Sequence, residues 1–165
     1  MADFMDIQKK IKALRPLQMN HQFSSFVSTD SEDRIKIQYY FDQHSGHFLS
    51  RVVFGQKSQG PPGHVHGGAI ASVLDETMGA AAWMNGFTAM TVKLEINYFR
   101  ALKIGNEAFV ETWVDHSNDK KVWVKGKIIT GDEIVYAESN GLFIPLSKEH
   151  FQSMGDIPEE LFNVF

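Results

Sequence analysis

Hydrophobic and polar positions alternate with a period of two along most of this chain, and one long segment breaks that rule. Residues 34–41 set Ile35, Ile37, Tyr39 and Phe41 against Arg34, Lys36 and Gln38, the pattern of a strand with one buried face. Gln43-His44-Ser45-Gly46 reads as a turn into a second strand at 47–54. Four further alternating runs, rich in Val, Ile, Thr and aromatics, lie at 88–99, 106–116, 121–130 and 133–144. In the first of these, Val92, Leu94, Ile96 and Tyr98 share one face. Lys93, Glu95 and Asn97 take the other, and strict alternation puts Thr91 with them. The exception is the apolar stretch 67–85, which has helical length and stops at Asn85-Gly86. A shorter amphipathic helix is predicted over 3–14, with Phe4, Ile7, Ile11 and Leu14 at helical spacing, ended by Arg15-Pro16. Residues 17–33 read as loop. The segment 55–65 holds three glycines and two prolines and cannot be a central strand.

This order predicts an α+β fold in which one antiparallel sheet of five to six strands wraps a single long helix. The short links between the last four runs favour antiparallel neighbours. A helical extension over 1–33 precedes the body at 34–146, and a tail over 147–165 adds a turn or short helix. A sheet wrapped on one helix leaves edges and a face to cover, so self-association into a dimer is expected.

Size and charge narrow the partners. The chain of 165 residues, 43% hydrophobic and 22% charged, fits one soluble domain with a full core. A formal charge of −4 argues against nucleic acid, which wants a basic face. The absence of cysteine excludes disulfides, thiol nucleophiles and Cys-ligated zinc. The N-terminus lacks the apolar run of a signal peptide. Residues 65–92 are long enough to span a bilayer, but Asp75, Glu76 and four glycines argue against it. The expectation is a cytoplasmic protein with no membrane partner.

The chemistry concentrates in Gly60-Pro61-Pro62-Gly63-His64-Val65-His66-Gly67-Gly68 and the helix that follows. Asp75 and Glu76 are the only charged residues between Val65 and Val92, and a charge in an apolar helix needs a partner or a function. Gly68, Ser72, Asp75 and Gly79 fall on one stripe of small side chains. Ile70, Val73, Leu74, Thr77 and Met78 lie opposite and fill the core. Glu76 stands about 100° round the helix from Asp75 and is read as structural or as a subunit contact. At the helix start, free backbone N–H groups of Gly67 and Gly68 can hold a developing oxyanion. His64-x-His66 resembles half of a metal site, but no further ligand pair has metal spacing, so no metal or other cofactor is expected. Serine-elbow, phosphate-loop and dinucleotide motifs are absent.

The 60–68 segment, Asp75, and Thr91-Val92-Lys93-Leu94-Glu95-Ile96-Asn97-Tyr98 together resemble a hotdog-fold acyl-CoA thioesterase. The likeness is to the phenylacetate-pathway thioesterases and the thioesterase superfamily member 4 and 5 group, and covers roughly 34–146. It implies hydrolysis of acyl-CoA to a free acid and CoA, with CoA entering only as part of the substrate. It implies Asp75 as general base or nucleophile, Gly67 or Gly68 as carbonyl-polarising amide, His66 as holder of that loop, and Thr91 as a group orienting water or Asp75. It also implies an active site at the interface of a homodimer or a dimer of dimers. The phenylacetate-pathway enzymes carry Asn where this chain has Gly60, so its contact to the carboxylate is expected to be missing, or replaced by Ser58 or His64. His64 is a further substrate-contact candidate. Met78, Trp83, Met84, Phe87 and Met90 are candidates for the acyl slot, and Arg100, Lys103, Lys120 and Lys121 for the CoA phosphates. A hotdog hydratase and a non-catalytic acyl-CoA-binding module are the competing readings; Asp75 favours the enzyme.

Overall fold

The computed structural model describes residues 6–17, 27 and 33–153. The expected helix start at 3–5, most of the 17–33 loop and the end of the tail lie outside the described residues. Helix α1 spans Ile7–Ala13, and strands β1 (Ile35–Asp42) and β2 (His47–Phe54) form the first hairpin. A short 3-10 turn, Gln56–Ser58, leads to helix α2 (Gly67–Met84). Strands β3 (Ala89–Tyr98), β4 (Glu107–Asn118), β5 (Lys121–Ile129) and β6 (Val135–Pro145) follow, then helix α3 (Lys148–Ser153).

The six strands make one antiparallel sheet in the order β1-β2-β4-β5-β6-β3. Two short links join neighbours as expected: β4 pairs with β5, and β5 with β6. The link over 99–106 does not. It crosses the end of the sheet, so β3 pairs with β6 while β4 pairs with β2. The reason is the helix. The sheet curls around α2, and β3, leaving the helix C-terminus, closes the far edge.

The buried face of α2 is the one its sequence sets out. Ile70, Val73, Leu74, Thr77, Met78, Ala81 and Ala82 are buried against the sheet. Phe48, Val52, Phe54, Val110, Val124, Ile128 and Phe143 meet them from the strands. At about 1.5–3 kcal/mol for each fully buried large apolar side chain, this interface dominates the fold's stability. The small stripe, Gly68, Ser72, Asp75 and Gly79, stays on the open side.

Strand alternation assumes one wet face, and here both faces are covered in part. Tyr40, Leu49, Phe109 and Ile129 lie on the outer face, yet they are buried because Ile7 and Ile11 of α1 pack over them. Asp6 caps α1 by accepting a hydrogen bond from the Gln8 N–H at 2.9 Å. Beside this small core, Glu111 is almost fully buried and meets three basic groups: Lys10 at 2.7 Å, His47 at 2.9 Å and Lys127 at 3.0 Å.

A second departure lies in β3. The register runs Thr91 opposite Phe143, then Lys93 opposite Leu142, so Val92 is an extra, bulged residue. Phe143 is fully buried against α2, and Thr91, its cross-strand partner, shares that face. The bulge therefore turns Thr91 toward the helix and separates it from Lys93 and Glu95. Val92, expected inside, is 56% exposed.

Candidate functional site

The helix start is organised by His66. It is the N-cap of α2, with extended backbone at φ −66° and ψ 136°. Its carbonyl accepts from the N–H groups of Ala69 (2.9 Å) and Ile70 (3.2 Å). Its Nδ1 accepts from the Gly68 N–H at 2.9 Å, so the neutral ring carries its hydrogen on Nε2. Such a cap is worth about 1 kcal/mol to a helix. Three of the four first-turn amides are thereby satisfied. Gly67 N–H is left as the first-turn donor with no partner among the described residues.

The loop in front is tied down from behind. His66 N–H donates to the Ser58 carbonyl and Val65 N–H to the Leu102 carbonyl, both at 2.8 Å. Gly60 sits so close to this turn that a Cβ there would stand 2.8 Å from the His66 Cα. The overlap is with backbone, so this loop has no room for an asparagine at Gly60. Neither expected substitute reaches Asp75. Ser58 Oγ donates to the Arg34 carbonyl at 2.5 Å, and His64 Nδ1 is 2.9 Å from the Pro62 carbonyl of its own loop.

Asp75 is half-buried two turns further along α2. Its Oδ1 accepts a hydrogen bond from Thr91 Oγ1 at 2.8 Å. A carboxylate held by a hydroxyl keeps one oxygen oriented and the other available, which suits a group that takes a proton from water or attacks a carbonyl. Glu76 points elsewhere: the buried Tyr39 hydroxyl donates to its Oε1 at 3.1 Å. Burial, and then the nearby Glu76 charge, push the Tyr39 phenol well above its ordinary range. That partnership fits the structural reading of Glu76.

One residue of this corner is not legible as such in the sequence. Tyr98, near the end of β3, donates its hydroxyl to the Gly67 carbonyl at 2.8 Å. Its ring also lies beside Gly67, within 3.6 Å of where a Cβ would be. The available signal is its place on the helix-facing side of β3 with Leu94 and Ile96.

The substrate-contact candidates divide by position. Arg100 follows Tyr98 and donates to the Val135 carbonyl at 3.1 Å; Lys103 bridges to His64. These three lie at the N-terminal end of α2. Lys120 sits in the β4–β5 turn at the opposite end of the sheet, where Asn85 at the helix C-cap donates to the Gly46 carbonyl. Met90 is 42% exposed and pairs with Ile144 on the face turned away from α2. Met78 is fully buried core, and Trp83 is engaged with the Ala89 carbonyl at 3.0 Å. A cavity of about 320 Å³ opens beside the helix start, lined by Arg34, Lys57, Ser58, His66, Gly68 and Ser72 among others. Among the described residues no group of three or more His, Asp or Glu side chains is gathered to hold a metal, and no helix is long and apolar enough to cross a membrane.

Comparison with known proteins bears on the fold that carries these residues. Residues 62–137 match the family model of the thioesterase superfamily. Mouse acyl-coenzyme A thioesterase THEM4 is 38% identical over 96 residues, which cover 58% of this chain and 41% of that protein. A crystal structure of a thioesterase superfamily protein superposes with a TM-score of 0.63 at 30% identity, covering 66% of this chain and 53% of the other. A Streptococcus mutans protein bound to acetyl-CoA superposes with a TM-score of 0.63 at 21% identity, covering 78% of this chain and 98% of that one. The chain spans only 39% to 62% of the length of curated relatives in mouse and Xenopus. The sheet wrapped around α2 is the hotdog fold, and the match to the thioesterase superfamily runs over its helix and the strands that follow.

Proposed function

We propose that this chain belongs to the thioesterase superfamily and hydrolyses acyl-CoA thioesters to a free acid and CoA. The observation that carries the reading is the Thr91–Asp75 hydrogen bond at 2.8 Å on the open side of a helix whose first amide, Gly67 N–H, has no partner among the described residues. A thioester needs little more. One N–H polarises the carbonyl, and one carboxylate either takes a proton from attacking water or attacks directly. When water attacks, its oxygen adds to the carbonyl carbon, the C–S bond breaks, and the thiolate leaves with the proton that the carboxylate took. When the carboxylate attacks, the thiolate leaves a mixed anhydride, which water then cleaves to the free acid, restoring the carboxylate and supplying the thiolate's proton. Asp75 is the carboxylate, Thr91 orients it, and His66 holds the corner. The cavity beside His66 and Gly68 can take part of the substrate, with Arg34 and Lys57 on its basic side.

The site is shared between two protomers. Gly67 and Asp75 are eight residues apart, about 12 Å along a helix axis. An oxyanion donor stands only about 2.7–3.1 Å from the oxygen it stabilises. One carbonyl group therefore does not sit at both within a single protomer, and the corner of one protomer with Asp75 and Thr91 of its partner closes the gap. The edge strand β3 supports such pairing. It exposes backbone and the side chains of Met90, Val92 and Tyr98, and Phe99 just beyond its end, between 42% and 56% accessible.

The test is thiol release across a panel of acyl-CoA esters of rising chain length, for wild type and Asp75→Asn. Loss of a positioned base is expected to lower kcat by about 10²-fold or more. Unchanged turnover in the variant removes Asp75 from the reaction. Tight acyl-CoA binding with no turnover in wild type replaces the enzyme with a binding module.

A further inference from the structure

The peptide unit joining Gly67 to Gly68 is gripped at both ends. Its carbonyl oxygen accepts from the Tyr98 hydroxyl at 2.8 Å, and its N–H donates to His66 Nδ1 at 2.9 Å. A peptide is planar, so fixing its two polar ends fixes the plane. Gly67 has no Cβ of its own to restrain its dihedrals, so these two bonds add to the hold that the Ala69 and Ile70 N–H groups place on the His66 carbonyl. The Gly67 N–H, without a partner among the described residues, belongs to the preceding His66–Gly67 peptide, which joins this plane at the Gly67 Cα. A donor aimed a fraction of an ångström wrong loses most of its worth to a developing charge.

We propose that Tyr98 is a positioning residue: its hydroxyl holds the Gly67–Gly68 peptide so that the Gly67 amide is aimed at the substrate carbonyl. This inference rests on the thioesterase reading for its catalytic consequence and on geometry alone for its structural one. Tyr98 is well placed for the task. It lies on the same strand and the same face as Thr91, so β3 touches both the carboxylate and the amide corner. About half of the side chain is exposed, but its hydroxyl end is turned in to the helix. Burial of that end raises the phenol above its ordinary range, which keeps the proton on the oxygen to be donated. The ring stacks beside Gly67 without crowding it, at ordinary contact distance from any Cβ placed there.

The experiment is Tyr98→Phe in the full chain, which removes one oxygen from a half-exposed side chain and leaves the ring. Two readouts are taken: kcat and KM on the acyl-CoA that wild type hydrolyses best, and amide hydrogen exchange of Gly67 and Gly68 by ¹⁵N NMR. Loosening the corner is expected to make Gly68 exchange faster and to lower kcat about tenfold, short of the 10²–10³ that follows outright loss of an oxyanion donor. KM should stay within about twofold, since ground-state binding is not what the amide governs. Wild-type exchange at Gly68 overturns the proposal, and so does a wild-type kcat. If wild type hydrolyses no acyl-CoA, the thioesterase reading falls by itself, and the exchange rates still decide whether Tyr98 holds the corner.

Discussion

Thr91 reaches Asp75 because β3 carries one residue too many. Without the bulge at Val92, Thr91 would lie on the outer face with Lys93; with it, Thr91 Oγ1 stands 2.8 Å from Asp75 Oδ1. The bond links an edge strand to the open stripe of the central helix, and it is the contact through which the sheet orients the carboxylate.

Replacing Thr91 by Val keeps the branched shape and removes the donor. A hydrogen bond to a charged group is worth about 1.5–3 kcal/mol, and this one is solvent-accessible, so the low end applies. We expect kcat of Thr91→Val to fall about tenfold in the thiol-release assay, by the usual 1.4 kcal/mol per decade. Thr91→Ser restores the hydroxyl and should recover most of it. Equal rates in all three proteins would make Thr91 an ordinary strand residue.

This bond also marks where the sequence stops being readable. Helical spacing names the buried face of α2, and the same spacing names the small stripe with Asp75, because an α-helix has one period and no exceptions along this stretch. Asn85-Gly86 marks its end within a residue, since Gly86 adopts φ +88°, a conformation that few other residues accept. Parity along a strand is more fragile. One bulged residue reverses it, and nothing about Thr91-Val92-Lys93 announces the bulge. Strand order is a tertiary property too: the link over 99–106 is short enough for a hairpin, and only closure of the sheet around α2 makes it a crossover. Burial of Tyr40 and Leu49 depends on α1 docking over the outer face, which alternation within β1 and β2 does not encode. Tyr98 was visible as a helix-facing residue, but a hydroxyl-to-backbone contact such as its bond to Gly67 leaves no periodic trace.

Glu111 should govern the acid limb of stability. Burial by itself would raise its carboxyl, but hydrogen bonds from His47, Lys10 and Lys127, and the Lys127 charge, outweigh it and hold the group far below the usual glutamate range. A carboxyl with a depressed folded value contributes stability that is complete above its unfolded value near 4.5 and is lost as pH falls below that. Removing one partner of a buried ion cluster costs about 3 kcal/mol or more. Urea unfolding should therefore find Glu111→Gln much less stable than wild type at neutral pH, with the difference shrinking steadily as the solution is acidified below the ordinary glutamate value. A difference independent of pH would show that the cluster's ionisation does not drive its stability.

The sharpest test of the amide corner uses proline. Gly67 is the first residue of α2, and the first helical position tolerates proline because its N–H lacks a helical partner in any case. The residue before a proline must be extended, and His66 already is, at ψ 136°. Gly67→Pro should thus leave the helix and its His66 cap intact while deleting the one N–H assigned to the substrate oxygen. We expect near-wild-type circular dichroism and a fall in kcat of about 10²–10³, the loss that follows removal of an oxyanion donor. The same variant tests whether the site is shared. In a mixed dimer of Gly67→Pro and Asp75→Asn protomers, one composite site keeps both an intact Gly67 amide and an intact Asp75, and the other loses both. Refolding the two inactive proteins together should then restore a substantial fraction of wild-type turnover. If instead each site lies within one protomer, every site in the mixture carries a lesion and no activity returns.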